Sequence, residues 1–446
     1  EGGDERLSLF GDQSHRVNKN KGGEKMKLNK GLFALIVGLF LVLVLAACSG
    51  GKESSGSSSG SSDNKSAGSN EEKSKSSVEY SQGVTDDEIL IGHIGPQTGA
   101  SAIYDLMRKG IDSYFKYVNE NGGVNGRQLK LIAYDDQYQP AKTVQVAKRL
   151  VEEDKVFATV GNVCTPCNTA AKDYFVEKGI PMVLLNTGAK PFVNPPIKNY
   201  MGSGLMNYRI EARVFLDFAV KELGAKKIGL AYNNDDYGKE GYEAIKNAIK
   251  NYPDVEIVQE VNWLSTDTEF SSQAKKLQEV NPDTILAFTT PNPAANFKKA
   301  LNKIGFTEPN LIVSSVAGND VKLFELAGKD VWEGTYSGSS IPMPEAVPDD
   351  EEMQLYLERF GADYPNEPTG GFAREGWAEA QVLVEALKRT GDDLTWDNFL
   401  ETFYTFDKWE GSLYAGISFS ENNHYGLTTM FMTEAKDGKI VPITEP

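Results

Sequence analysis

The sequence predicts an α/β fold built as two similar lobes, and three observations predict it. Apolar runs of strand length alternate with segments of helical period between Glu88 and Phe324. The alternation restarts near Lys226 with the same plan of strand, polar glycine loop and amphipathic helix. The folded body from about Val78 to Pro446 is also too long for one ordinary core. Strict alternation implies crossover connections and a mainly parallel sheet covered on both faces.

Taken in order, EILIGHIG (88–95) reads as a buried strand, followed by the loop PQTGAS. A helix with apolar Ile103, Met107, Ile111, Phe115 and Val118 comes next, and the glycines of NENGGVNG end it. RQLKLIAYDD is a strand, PAKTVQVAKRLVEED a helix with Pro140 in its first turn, VFATVG a strand. A helix from Thr165 and the strand PMVLLN complete the first cycle. The second runs through KKIGLAY, a helix after NNDDYG, VEIVQEVNW, a helix from Phe270, TILAFTT, a helix from Pro293 and NLIVSS. From Glu333 the plan changes to one strand-like stretch, three helices and a β-rich close in which KDGK forms a hairpin turn. That tail is too short for a third domain and is expected to complete the first two.

The region before the body carries targeting signals. GLFALIVGLFLVLVLAA (31–47) holds no charge and follows Met26, Lys27 and Lys30, the pattern of a signal peptide over 26–47. Its end, LAAC, resembles the bacterial lipobox, which implies cleavage before Cys48 and a lipid on that cysteine. Residues 1–25 show no apolar periodicity, and translation is expected to start at Met26, leaving them as a non-native or misannotated extension. Residues 48–80 are Ser, Gly and charge, a tether that buries too little apolar surface to order itself.

With 63 acidic against 46 basic residues the formal net charge is −17, which argues against nucleic acid and anionic headgroups as partners. His93 and His424 have no partner at ligand spacing, so no metal is expected, and no nucleotide loop or GxSxG elbow points to a cofactor or an enzyme. CTPC (164–167) can be read as a thioredoxin-like redox pair, or as small buried thiols or a local disulfide. The second is preferred, because a redox CxxC belongs to a much smaller fold. Asp135 and Asp136 could be a general-base pair, but capping of the following turn and helix is the preferred reading. What remains is a set of polar loops at the carboxyl ends of the strands, where parallel sheets bind ligands: PQTGAS, NVCTPCN, NTGAK, NNDDYG, TTPNPA and SSVAGND. Helix N-termini in such loops suit a carboxylate.

The ordered combination of IGHIGPQTGAS, NENGGVNGR, YDD followed by proline, GIPMVLLNTGA, DDYGKEG and ELAGKDVWEGTY resembles the type I periplasmic binding proteins, in particular the leucine/isoleucine/valine-binding group of ABC importers. The resemblance implies two Rossmann-like lobes joined by a three-segment hinge, one from 86–205 plus 338–408 and the other from 206–337 plus 409–446. It implies a monomer that captures an amino acid or a related small carboxylate or amide and docks on ABC permease subunits from a lipid anchor on the extracytoplasmic face of the cell membrane. Matching loops carry over Thr98 and Gly99, Tyr104 as an aromatic over the ligand, Thr165 with its helix N-terminus for the α-carboxylate, Gly188, Lys190, and Tyr237 as the aromatic of the opposing lobe. Cys164, Pro291 and Ser315 complete the candidate set. Where the family has a glutamate for the ligand ammonium, this chain offers Ser314 and Ser315, and Lys190 stands where the family often has threonine. Either the preferred ligand is more negative than leucine, or Lys190 points to solvent and Asp235 or Asp236 takes the ammonium. The family's disulfide partner of Cys164 is replaced by Tyr138, leaving Cys167. A lipid-anchored sensor that passes occupancy to a signalling partner would share these features, whereas an extracytoplasmic enzyme would need a nucleophile or base that the loops lack.

Overall fold

The computed structural model describes residues 80–193, 196–414, 416–427 and 429–444. The extension, signal peptide, Cys48 and the tether up to residue 79 lie outside the described residues.

The first half runs β1 (Glu88–Gly95), α1 (Asp105–Glu120), β2 (Gln128–Asp135), α2 (Pro140–Glu152), β3 (Ala158–Val160), α3 (Thr165–Lys178), β4 (Met182–Leu185), α4 (Lys190–Val193), β5 (Tyr200–Ser203) and α5 (Tyr208–Lys221). The five strands form a parallel sheet in the order β2-β1-β3-β4-β5. Ile89, Ile91 and Ile94 of β1 are fully buried, as the apolar run requires. On α1, Met107, Ile111, Phe115 and Val118 are buried.

The second half continues β6 (Lys227–Asn233), α6 (Asp236–Ala248), β7 (Glu256–Trp263), α7 (Ser271–Val280), β8 (Thr284–Phe288), α8 (Pro291–Lys303), β9 (Asn310–Val313) and the short α9 (Ser315–Gly318), α10 (Lys322–Ala327) and α11 (Lys329–Trp332). Then come β10 (Thr335–Ser339), α12 (Glu351–Asp363), α13 (Gly371–Thr390), α14 (Trp396–Thr402), β11 (Ile417–Ser420), β12 (Asn423–Leu427), β13 (Phe431–Lys436) and β14 (Lys439–Pro442). A second sheet has the order β14-β13-β10-β9-β8-β6-β7. Its strands from β6 to β10 are parallel, and the β13–β14 hairpin, turning at Asp437 and Gly438 in left-handed conformation, adds the antiparallel edge. The α/β class with two lobes is therefore the architecture observed.

Three features differ from the sequence expectations. β5 and α5 have no counterpart in them. The late hairpin β11–β12 does not pass to the second lobe at residue 409. It lies on the first sheet: His424 Nδ1 meets Ile197 O at 2.9 Å, and the Tyr425 hydroxyl donates to Leu205 O. The return to the second sheet comes after Leu427, because alternation within a hairpin does not specify which sheet it covers.

α13 returns from the tail to lie along α1. The two helices approach so closely that a Cβ at Gly376 would sit 1.9 Å from Met107 O, and one at Gly110 2.0 Å from Ala373 O. α13 is buried on nearly every side and runs from the first lobe's core to the hinge: Asp320, before α10, accepts from the backbone N–H of Phe372 at 2.8 Å. The carboxyl ends of β1, β3, β4, β6, β8 and β9 thus meet at one seam, crossed by a 3.0 Å bond from the Tyr104 hydroxyl to Val316 O and by one from Asn292 Nδ2 to Ala100 O.

Candidate functional site

The seam is built first around α3. Cys164 caps the helix from a left-handed backbone conformation (φ 93°) and is disulfide-bonded to Cys167, with Cα atoms 5.1 Å apart. CTPC is thus a local disulfide with both cysteines buried, as in the preferred reading. With Cys164 held before the first turn, Thr165 is 2% exposed. Its hydroxyl shares hydrogen bonds with Thr187 Oγ1 (2.9 Å) and with the Tyr208 hydroxyl (3.0 Å). Three hydroxyls thus converge at the N-terminus of a 14-residue helix, a place suited to a carboxylate. Gly188 serves this arrangement from behind: a Cβ there would meet Met206 O at 2.1 Å, and its carbonyl accepts from Tyr208 N–H.

Aromatic rings line the seam. Tyr104 and Tyr138 stack at 6.4 Å between centroids, and Tyr208 and Tyr237, on the packed helices α5 and α6, lie 5.1 Å apart. Tyr138 replaces the family cysteine with a ring in the cleft, a role the sequence reading did not assign. Its position comes from the YDD turn, where Gln137 and Tyr138 both adopt positive φ. Asp135 and Asp136 fix that turn by accepting from the backbone N–H of Gln137 and Tyr138. Burial opposes the charge of Asp135, but the Thr98 hydroxyl and the N–H groups of Gln97, Gln137 and Thr98 outweigh it and hold the carboxyl below its ordinary range. Burial pushes Asp136 up to about 6 despite its 2.7 Å bond from Thr143. Both act as turn residues; the N-cap position of α2 is Gln139, and no side chain caps the helix there.

A buried carboxyl lies behind the opposite wall. Glu211, in the first turn of α5, is fully buried beneath the end of β9. Its Oε1 accepts from Ser315 N–H at 2.6 Å and its Oε2 from the Ser314 hydroxyl at 3.4 Å. Burial drives its pKa up to about 7, against those hydrogen bonds. Lys190 is exposed at the start of α4 and lines neither gap between the lobes, as the alternative in which it points to solvent requires. Asp235 caps α6 through Gly238 N–H, and Asp236 is exposed.

Of the candidate residues, Tyr104, Cys164, Thr165 and Tyr237 line one small cavity together with Tyr138, Asn186, Leu205 and Tyr208. Ser315 lines a second, with Leu205, Asn319, Ser339, Arg374 and Glu375. The two gaps measure about 10 and 20 Å³, room for roughly one water each. A ligand therefore requires the lobes or the rings to move. Thr98 and Gly99 are exposed at the rim, and Pro291 is buried at the first turn of α8 without lining either gap. The sequence reading missed Tyr208, Glu211, Arg374 and Glu375. The usable signal was a carboxylate at Glu211 within the apolar stripe Tyr208, Ala212, Phe215 and Ala219, and charges inside the all-round buried α13.

Glu379 extends this polar interior. Its two carboxylate oxygens and Asn186 Oδ1 have no donor, and both groups press on Gly204, where a Cβ would lie 2.1 Å from Glu379 Oε1 and 2.6 Å from Asn186 Oδ1. Burial and the neighbouring Glu375 raise its pKa well above its ordinary value, while the Asn186 side chain acts in the opposite direction. Among the described residues no group of three or more His, Cys, Asp or Glu is placed to hold a metal ion, and no helix is long and apolar enough to cross a membrane.

The profile of the family described as periplasmic binding protein matches residues 88–439. An amino acid binding protein of Pseudomonas aeruginosa is 25% identical over 316 residues, covering 68% of this chain and 79% of that protein. A leucine-, isoleucine-, valine-, threonine- and alanine-binding protein of the same species is 24% identical over 315 residues, covering 70% and 81%. In fold, a branched-chain amino acid transporter substrate-binding protein from Streptococcus pneumoniae, solved with isoleucine, matches 80% of this chain and 100% of its own at a TM-score of 0.69 and 20% identity. The relatives are solute-binding proteins and not enzymes, and this chain, with two α/β lobes closed over a polar and aromatic seam, belongs to the periplasmic binding protein family.

Proposed function

We propose that this protein is the extracytoplasmic, lipid-anchored substrate-binding component of an ABC importer and that it captures an amino acid between its lobes. The observation that carries the reading is the pairing across one seam of three convergent hydroxyls at the N-terminus of α3 with the buried Glu211 carboxylate beside Tyr208 and Tyr237. The first end receives a carboxylate and the second offsets an ammonium, so a zwitterion satisfies both. An exposed Lys190 and a buried Glu211 support a zwitterion over a ligand more negative than leucine. Ligand enters the open form, contacts both walls and stabilises closure by its higher affinity for the closed form. The closed body then docks on the permease.

A thermal-shift screen of free amino acids tests this, since ligand bound only to the native state stabilises it by RT ln(1 + [L]/Kd). We expect at least one zwitterionic amino acid to raise Tm, and Thr165→Val to weaken its binding about 10-fold, as loss of a hydrogen bond to a charged group does. A Thr165→Val protein that binds as tightly as the parent would contradict the carboxylate assignment.

A further inference from the structure

The second gap of the seam contains polar groups that the fold itself leaves unmatched. Arg374 on α13 is 3% exposed; its Nη2 donates to Met343 Sδ at 3.2 Å, and its Nε–H has no acceptor. Across from it, Asn319 Nδ2 donates to Ser339 Oγ at 3.0 Å while Asn319 Oδ1 has no donor. The Glu375 carboxylate lines the same space. Leu205 borders both gaps, so this chamber adjoins the one lined by Thr165 and the tyrosines.

Buried polar groups in native proteins have partners, and an unmatched donor and acceptor on the wall of a closing cleft await a ligand group. That group must accept from a guanidinium N–H and donate to an amide oxygen, beside a Glu375 carboxyl whose pKa burial raises well above its ordinary value. The chamber also holds both signs of charge, with Arg374 near Glu375 and Asp320. A ligand cation would meet the guanidinium, a ligand carboxylate would leave Asn319 Oδ1 without a donor, and an alkyl group would leave both Arg374 Nε and Asn319 Oδ1 unmatched. A neutral planar amide meets every requirement, because it carries a carbonyl and an N–H₂ side by side.

We infer that the Arg374–Asn319–Glu375 chamber is a side-chain subsite selecting amino acids with a terminal carboxamide or ureido group. The inference rests on the amino-acid reading of the seam, and it names the side chain that the reading leaves open.

Calorimetric titration of the full chain with L-glutamine, L-glutamate, L-lysine and L-leucine tests it. Glutamine is expected to bind at least about 10-fold more tightly than each of the others, since a site built for hydrogen bonds rejects analogues that lack them. Asn319→Ala, at a half-buried position, is expected to lower glutamine affinity about 10-fold and to leave leucine affinity within roughly twofold. Leucine binding as tightly as glutamine overturns the subsite and leaves the amino-acid reading standing. Glutamine preference unchanged in Asn319→Ala overturns the location. Failure of all four to bind overturns both the subsite and the amino-acid reading.

Discussion

Glu211 shows what a single residue decides. A carboxyl whose ordinary pKa of 4.5 rises to about 7 on folding binds its proton more tightly in the native state. Its contribution to stability is fully present below pH 4.5 and is lost as pH rises through 7, a difference of about 3 kcal/mol at 1.36 kcal/mol per unit. Asp136, raised to about 6, acts in the same direction. Glu211→Gln keeps an acceptor for Ser315 N–H and removes the titration, so its urea midpoint should fall less between pH 5 and 8 than that of the parent. Equal slopes in the two proteins would show that Glu211 does not titrate there. Thr165 and Tyr237 could be named in advance because the family resemblance carries over onto loops that follow parallel strands. Glu211 and Tyr208 were not, because α5 lies outside those loops and reaches the seam only by packing.

Elements were legible where their period was strong. β1, α1, α2 and the hairpin at KDGK follow from apolar spacing and turn residues. β5 is four residues long and mixed in polarity, too short for a periodic signal. The contact between α1 and α13, about 260 residues apart, has no sequence signal except small residues at Gly110 and Gly376. Its closeness supports a contrast. Gly376→Ala forces a methyl group against Met107 O and should cost about 2 kcal/mol or more in urea unfolding, as overpacking does. Gly361→Ala on α12 meets nothing within 4 Å and should instead stabilise by up to about 1 kcal/mol through helix propensity. Equal effects of the two substitutions would mean that α1 and α13 are not in contact at Gly376.

At the scale of the whole molecule, the folded body and the segment before it carry separate arguments. The anchor rests on LAAC and the apolar run before it, so Cys48→Ser should move the protein from the membrane pellet to the soluble fraction of fractionated cells. Persistence of the variant in the pellet would refute lipid attachment at that residue. The sequence by itself determined the α/β class, the two cycles and the strand ends at which a site forms, because spacing along the chain dictates strands, helices and the common direction of parallel strands. Only the tertiary structure decided which polar side chains meet there. Glu211 reaches Ser315 across 104 residues, and α13 brings Arg374 to Asn319. Such meetings depend on how sheets and helices pack, and no local period records them.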